Sequence, residues 1–122
     1  MGWVYIIHFN KKLSHAGHYC GYAGRSLRRR LTSHRETTWI PFEKPVRLDD
    51  GRVIAGKKHG PGAVIMGVVN SKGIRWEVAK IFRNVTRAFE RQIKNTKHLA
   101  RYCPICNPEA KDYHPKGTII SV

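Results

Sequence analysis

A chain of 122 residues is the size of one ordinary domain, and 41% apolar residues are enough for a real core but not for two. The formal net charge of +15, from 23 basic and 8 acidic side chains, favours a polyanionic partner and salt-dependent binding. No apolar run approaches a membrane span, and the opening Met1-Gly2-Trp3-Val4-Tyr5 lacks the charged start and apolar middle of a signal peptide, so a cytoplasmic protein without membrane attachment is expected.

Taken in order, Trp3 to Phe9 is β-branched and aromatic almost throughout and reads as a buried strand. Asn10 to Gly17 is polar and reads as a loop, and His18 to Ala23 suits a second strand, making a hairpin. Ser26 can cap a helix from Leu27 to about Arg35, with Leu27 and Leu31 on its inner face. Residues 36 to 60 are the least legible and look inserted; Val46 to Ala55 suggests a small hairpin turning at Asp49-Asp50-Gly51. Ala63 to Ser71 fits helix or strand, and Lys72-Gly73 tips the reading to a helix with a glycine stop. Trp76 to Phe82 predicts a third strand. Asn84 or Thr86 then starts a helix to about His98, with Val85, Phe89 and Ile93 as its apolar stripe, and the tail with Pro104, Pro108 and Pro115 is irregular.

Phosphodiester hydrolysis needs an activated water, a cation on the phosphate oxygens and help for the leaving oxygen. Metal held by a carboxylate supplies much of the first two, and an arginine fork suits the developing charge. The chain offers Val4-Tyr5-Ile6 on the first strand, Tyr19-Cys20-Gly21 on the second, Arg30 and then His34 on the first helix, Glu90 on the last, and Asn107 in Cys-Pro-Ile-Cys-Asn-Pro. This order resembles the GIY-YIG nuclease family, over roughly Trp3 to Asn107. Pro61-Gly62-Ala63 and the segment from Arg101 to Pro108 also resemble a compact subgroup of phage and bacterial genomes.

The resemblance implies a small three-stranded antiparallel α+β sheet flanked by helices, in a single domain, with Mg²⁺ or Mn²⁺ as cofactor. By position, Tyr5 and Tyr19 match the motif tyrosines, one of which would contact the attacking water or act as general base. Gly21 matches the packing glycine, Arg30 the phosphate clamp, His34 its companion, Glu90 the metal-binding carboxylate and Asn107 a supporting asparagine. The chain departs from the pattern at Trp3, at Cys20 and at Tyr22, which stands where several relatives carry a lysine; one extra residue also separates Gly21 from Arg30.

DNA is the favoured substrate over RNA, nicked by one active site in a monomer or homodimer. Arg25, Arg28, Arg29, Arg35, Lys57 and Lys58 are the candidates to hold the backbone without reading sequence. Trp39 and Phe42 could stack on unpaired bases or bury in the core. Three cysteines do not suit a disulfide framework. Cys103 and Cys106 form half a zinc site, which His114, His98, Cys20 or His18 would have to complete, for a structural Zn²⁺ that pins the tail. The competing reading is a non-catalytic, zinc-stabilised nucleic-acid-binding module. Cys20, with no helix start beside it, is a poor nucleophile.

Overall fold

The computed structural model describes residues 1–13, 16–96 and 99–108. His98, His114 and Pro115 lie outside the described residues. The chain divides into two compact units, Met1–Leu27 with Arg75–Val122, and Arg28–Ile74.

In the first unit, β1 (Gly2–Leu13) and β2 (Ala16–Ala23) pair antiparallel, and β5 (Trp76–Val85) pairs antiparallel on the other side of β1, giving the order β2-β1-β5. The expected three-stranded antiparallel sheet is therefore present, and its first two strands run longer than the apolar run alone suggested. Alternation along β1 sends Val4, Ile6 and His8 to one face and Trp3, Tyr5, Ile7 and Phe9 to the other. On the first face, Val4, Ile6, Cys20, Phe82 and Val85 form a core with Phe89 and Ile93 of α3 (Arg87–Asn95) and with Tyr102 and Cys103. Each of these core residues is nearly or fully sealed from water, and full burial of one such aliphatic or aromatic side chain contributes on the order of 1.5–3 kcal/mol. Helix α3 starts after Thr86, which is extended and makes no side-chain cap bond, and it is followed by a short 3-10 helix, Leu99–Tyr102. Asn84 holds φ 56°, a left-handed conformation that asparagine tolerates better than most residues.

The second unit holds α1 (Leu27–Glu36), which begins one residue before its boundary, then β3 (Thr38–Arg47), β4 (Val53–His59) and α2 (Val64–Ser71). Strands β3 and β4 form a two-stranded antiparallel sheet. Its turn is the expected one: Gly51 has φ 88°, and the Asp50 carboxylate accepts from the Arg52 backbone at 3.0 Å. Pro41 and Pro45 lie within β3, and the register shifts between Pro41 and Val46, as expected where prolines cannot donate to the ladder. Helix α2 ends in a Schellman arrangement, with Ile74 N–H donating to the Val69 carbonyl, Gly73 N–H to that of Asn70, and Gly73 at φ 69°. Among the described residues, no helix is long and apolar enough to cross a membrane.

Candidate functional site

The β1–β2 register places Tyr5 directly opposite Gly21, and Ile7 opposite Tyr19. Tyr5 is fully buried and Tyr19 half-buried, with ring centroids 6.3 Å apart at 51°. A methyl group on Gly21 would come within 2.8 Å of Tyr5 Cε2 and closer still to Cζ and the hydroxyl, so the ring occupies the space a side chain would need. The resemblance implied close packing of helix and strand at Gly21; the structure instead fills the space with the Tyr5 ring of the neighbouring strand.

Glu90 lies in the first turn of α3, between the core residues Phe89 and Ile93, and its side chain is only 14% exposed. Lys94, four residues on, brings its ammonium to 3.9 Å from the Glu90 carboxylate and to 5.6 Å from the centre of the Tyr19 ring. Lys94 was not among the sequence candidates; its i+4 spacing from Glu90 was the available signal. Glu90 also stands close enough to Cys20 to act on it. Burial, with Glu90 adding, pushes the Cys20 thiol up to about 12, which keeps it an inert neutral core group.

Tyr22 sits opposite Val4, and alternation turns it to the other face of the sheet from Tyr5 and Tyr19. There it packs on the core beneath the Arg87 guanidinium, 5.0 Å from its ring centre. The structure therefore does not bring Tyr22 together with the tyrosine pair.

In the second unit, Arg30 and His34 share a face of α1. Thr37, just past the helix, donates to the Ser33 carbonyl at 2.6 Å and accepts from Gly62 N–H at 2.6 Å. Ala63 N–H reaches His34 Nδ1 at 3.3 Å, and Arg30 donates to the Pro61 carbonyl at 3.5 Å. The Asn70 amide donates to the carbonyls of His34 and Thr37 at 2.7 and 2.8 Å. A side chain on Gly62 would strike Thr37 Oγ1 and the Ser33 carbonyl, so Pro61-Gly62-Ala63 is a segment shaped to dock on the end of α1.

His34 is fully buried and accepts at Nδ1 as a neutral imidazole. Burial, with Arg30 adding, lowers its pKa to about 4. It is a brace for the Pro61–Ala63 turn rather than a group that meets substrate. Sequence reasoning placed it on the right helix but could not anticipate its complete burial.

The cations chosen for backbone contact are exposed. Arg25 belongs to the first unit, and Arg28, Arg29, Arg35, Lys57 and Lys58 to the second. Lys58 spends one donor on the Gly62 carbonyl at 2.9 Å. Trp39 and Phe42 are half-buried, and the Trp39 indole fills the space over Gly56.

A second cluster lies on the core face of the three-stranded sheet. His8 and His18 are direct cross-strand partners, with rings 5.2 Å apart. Cys103 and Cys106, in the turns after the 3-10 helix, meet them there, and one ligand atom from each of the four residues falls within 4.8 Å of all the others. This group could hold a metal ion. His18 was one of the residues expected to complete the cysteine pair; Cys20 is not part of the group, and His8 was missed. His8 was absorbed into a run read as buried strand, although its two-residue spacing from Ile6 already put it on the core face. Burial, with His8 adding, lowers the pKa of His18, favouring the neutral, ligating form. Asn107 follows directly: its N–H donates to the Cys103 carbonyl at 2.8 Å and its amide to that of Arg101 at 3.0 Å, so it ties the cysteine turn together.

No protein-family model, curated protein or solved structure matches the chain. The fold and sites thus define, on their own terms, an α+β protein with a tyrosine–carboxylate–ammonium cluster and a separate two-histidine, two-cysteine cluster.

Proposed function

We propose that the protein is a divalent-metal-dependent endonuclease of the GIY-YIG type, cutting DNA one strand at a time. The observation that carries this reading is the chain of contacts from Tyr5 to Tyr19, from Tyr19 to Lys94 and from Lys94 to the largely buried Glu90 carboxylate, with Gly21 making room for the Tyr5 ring. A packed core needs none of these polar groups at those places, and removing a carboxylate this far from water is costly unless a cation compensates it.

Glu90 is the residue that would hold Mg²⁺ or Mn²⁺. A single carboxylate suits a hard cation that keeps several waters, and such an ion supplies Lewis acidity and a more acidic bound water. Tyr19, half-buried, is the tyrosine open to a water molecule, whereas Tyr5, fully buried, positions it. Lys94 holds positive charge beside the Tyr19 ring and steadies Glu90. Arg30 keeps the role of phosphate clamp that its place in the motif order implies. The metal proposed for Cys103 and Cys106 is a structural zinc with no part in cutting.

The same cysteine–histidine cluster favours a second reading, a zinc-stabilised module that binds nucleic acid without cutting it. Incubation of wild type and Glu90→Ala with Mg²⁺ or Mn²⁺ on single-stranded DNA, duplex DNA and RNA separates the two. The nuclease reading expects wild type to cut DNA, and Glu90→Ala and Arg30→Ala to bind but not cut, with unchanged circular dichroism. If wild type and Glu90→Ala bind alike and neither cuts any substrate, the module reading stands instead.

A further inference from the structure

We infer that His8 Nδ1, His18 Nε2, Cys103 Sγ and Cys106 Sγ are the complete ligand set of one tetrahedral zinc ion, and that this ion clasps the segment after Leu99 to the β1–β2 hairpin. The site stands apart from the nuclease reading and would survive its failure.

The distances argue first. His8 Nδ1 lies 3.3 Å from His18 Nε2, 3.5 Å from Cys103 Sγ and 3.5 Å from Cys106 Sγ, and Cys106 Sγ lies 3.4 Å from His18 Nε2. Zinc bonded to nitrogen at about 2.05 Å and to sulfur at about 2.3 Å, with tetrahedral angles, requires edges of about 3.3 Å between nitrogens and about 3.6 Å between nitrogen and sulfur. Four of the six edges lie within roughly 0.2 Å of these values, and the other two, His18 to Cys103 and Cys103 to Cys106, fall within 4.8 Å.

Hydrogen bonding does not account for the same geometry. His8 Nδ1 has three neighbours at contact distance. A ring nitrogen carries either one proton or one lone pair, so it can serve one of them well and not three. Four atoms from three stretches of chain that crowd one point, each able to give a lone pair, are the pattern a cation organises. Cys103 and Cys106 are free thiols, so no disulfide draws them together. Two thiolates and two imidazoles in a tetrahedron select zinc over hard cations, and their two negative charges neutralise it.

The position of the ligands indicates what the ion does. Two come from the sheet, at the last paired residues before the register of β1 and β2 shifts between His8 and Leu13. The other two come from turns that otherwise hold to the core through Tyr102 and the buried Cys103. Bridging positions 8 and 18 to 103 and 106 closes a long loop, and the constraint on the unfolded chain grows with loop length.

The test uses the full chain, purified from zinc-supplemented cells, with metal content read by mass spectrometry. One zinc per chain is expected. Replacing it with Co²⁺ should give the visible bands of four-coordinate cobalt and a thiolate charge-transfer band, which falls to about half in Cys106→Ser. Competition with a chromophoric chelator should show Cys106→Ser, His18→Ala and His8→Ala each losing at least about tenfold in zinc affinity, since losing a ligand costs no less than losing a supporting partner. Cys106 is exposed, so its serine variant serves as the folded control, checked by circular dichroism. Glu90→Ala should keep one zinc, whatever its effect on cutting. Wild type without zinc, cobalt spectra lacking the charge-transfer band, or zinc retained in the Cys103→Ser/Cys106→Ser double variant would each overturn the proposal. Unchanged zinc affinity in His8→Ala would overturn the ligand set.

Discussion

Gly21 and Tyr5 face each other across the β1–β2 pair so closely that the aromatic ring takes the place of the missing side chain. Gly21→Ala forces either the ring or the strand to move, and neither is free to do so in a buried sheet. A loss of about 1–3 kcal/mol is expected, the usual cost of overpacking. Urea unfolding of Gly21→Ala and of Gly21→Ala combined with Tyr5→Leu checks it. The double variant should recover part of the loss; equal or additive losses would show that the ring is not the obstacle.

The two tyrosines should separate by what each removal changes. Tyr19→Phe keeps the half-buried ring under Lys94 and deletes only its hydroxyl, so on the nuclease reading cleavage should fall by about 100-fold or more, well beyond any effect on stability. Tyr5→Phe acts on a fully buried group and should cost about 1 kcal/mol in stability, with the smaller effect on rate. Single-turnover cleavage and denaturant titration of both variants give the comparison, and the reverse pattern would exchange their roles.

His34 makes stability depend on pH. Its folded pKa of about 4 lies below the unfolded value of 6.5, so between those values the unfolded chain binds the extra proton. Its contribution is therefore fully present above pH 6.5, falls as pH drops towards 4, and is lost below that. For this buried group the contribution is at most about 3 kcal/mol. The difference in unfolding free energy between wild type and His34→Gln should shrink from pH 7 to pH 4. A constant difference would mean that His34 is not held neutral.

Thr37→Val removes the acceptor for Gly62 N–H and the donor to Ser33 while keeping the volume of the side chain. Gly62 is buried, so its orphaned N–H should cost about 1–3 kcal/mol. Faster amide exchange should appear at Gly62 and Ala63 before anywhere in β1. Uniform loss of protection would instead place Thr37 in the global core.

Much of the fold was legible because its signals are local. The aromatic and β-branched run of β1, the apolar stripe of α3 and Gly73 at the end of α2 each declare an element within a few residues. Of strand β3 only the end, Val46-Arg47, was read, as an arm of the hairpin, because Pro41, Pro45 and a mostly solvent-exposed surface erase the alternation that identifies strands. The candidate site divides in the same way. Tyr5, Gly21 and Glu90 were reached through motif order. The roles of His8 and Lys94 depend mostly on contacts distant in sequence, as His8 has with Cys103, 95 residues away, and Lys94 with the Tyr19 ring, beyond the local cues of His18 across the hairpin and Glu90 four residues back. The neutrality of His34 depends on burial, which the composition of a charged helix conceals.

Strand β1 is held on both sides by partners, and Tyr5 and His8 lie three positions apart along it, on opposite faces. Parity is therefore the constraint on this stretch. One residue gained or lost between them would leave the tyrosine beside Gly21 but turn the imidazole away from the two cysteines, whereas two would keep both orientations and shift only the spacing. Ile6 and Ile7, the two fully buried residues between them, should thus tolerate exchange for another aliphatic side chain far better than a change of length.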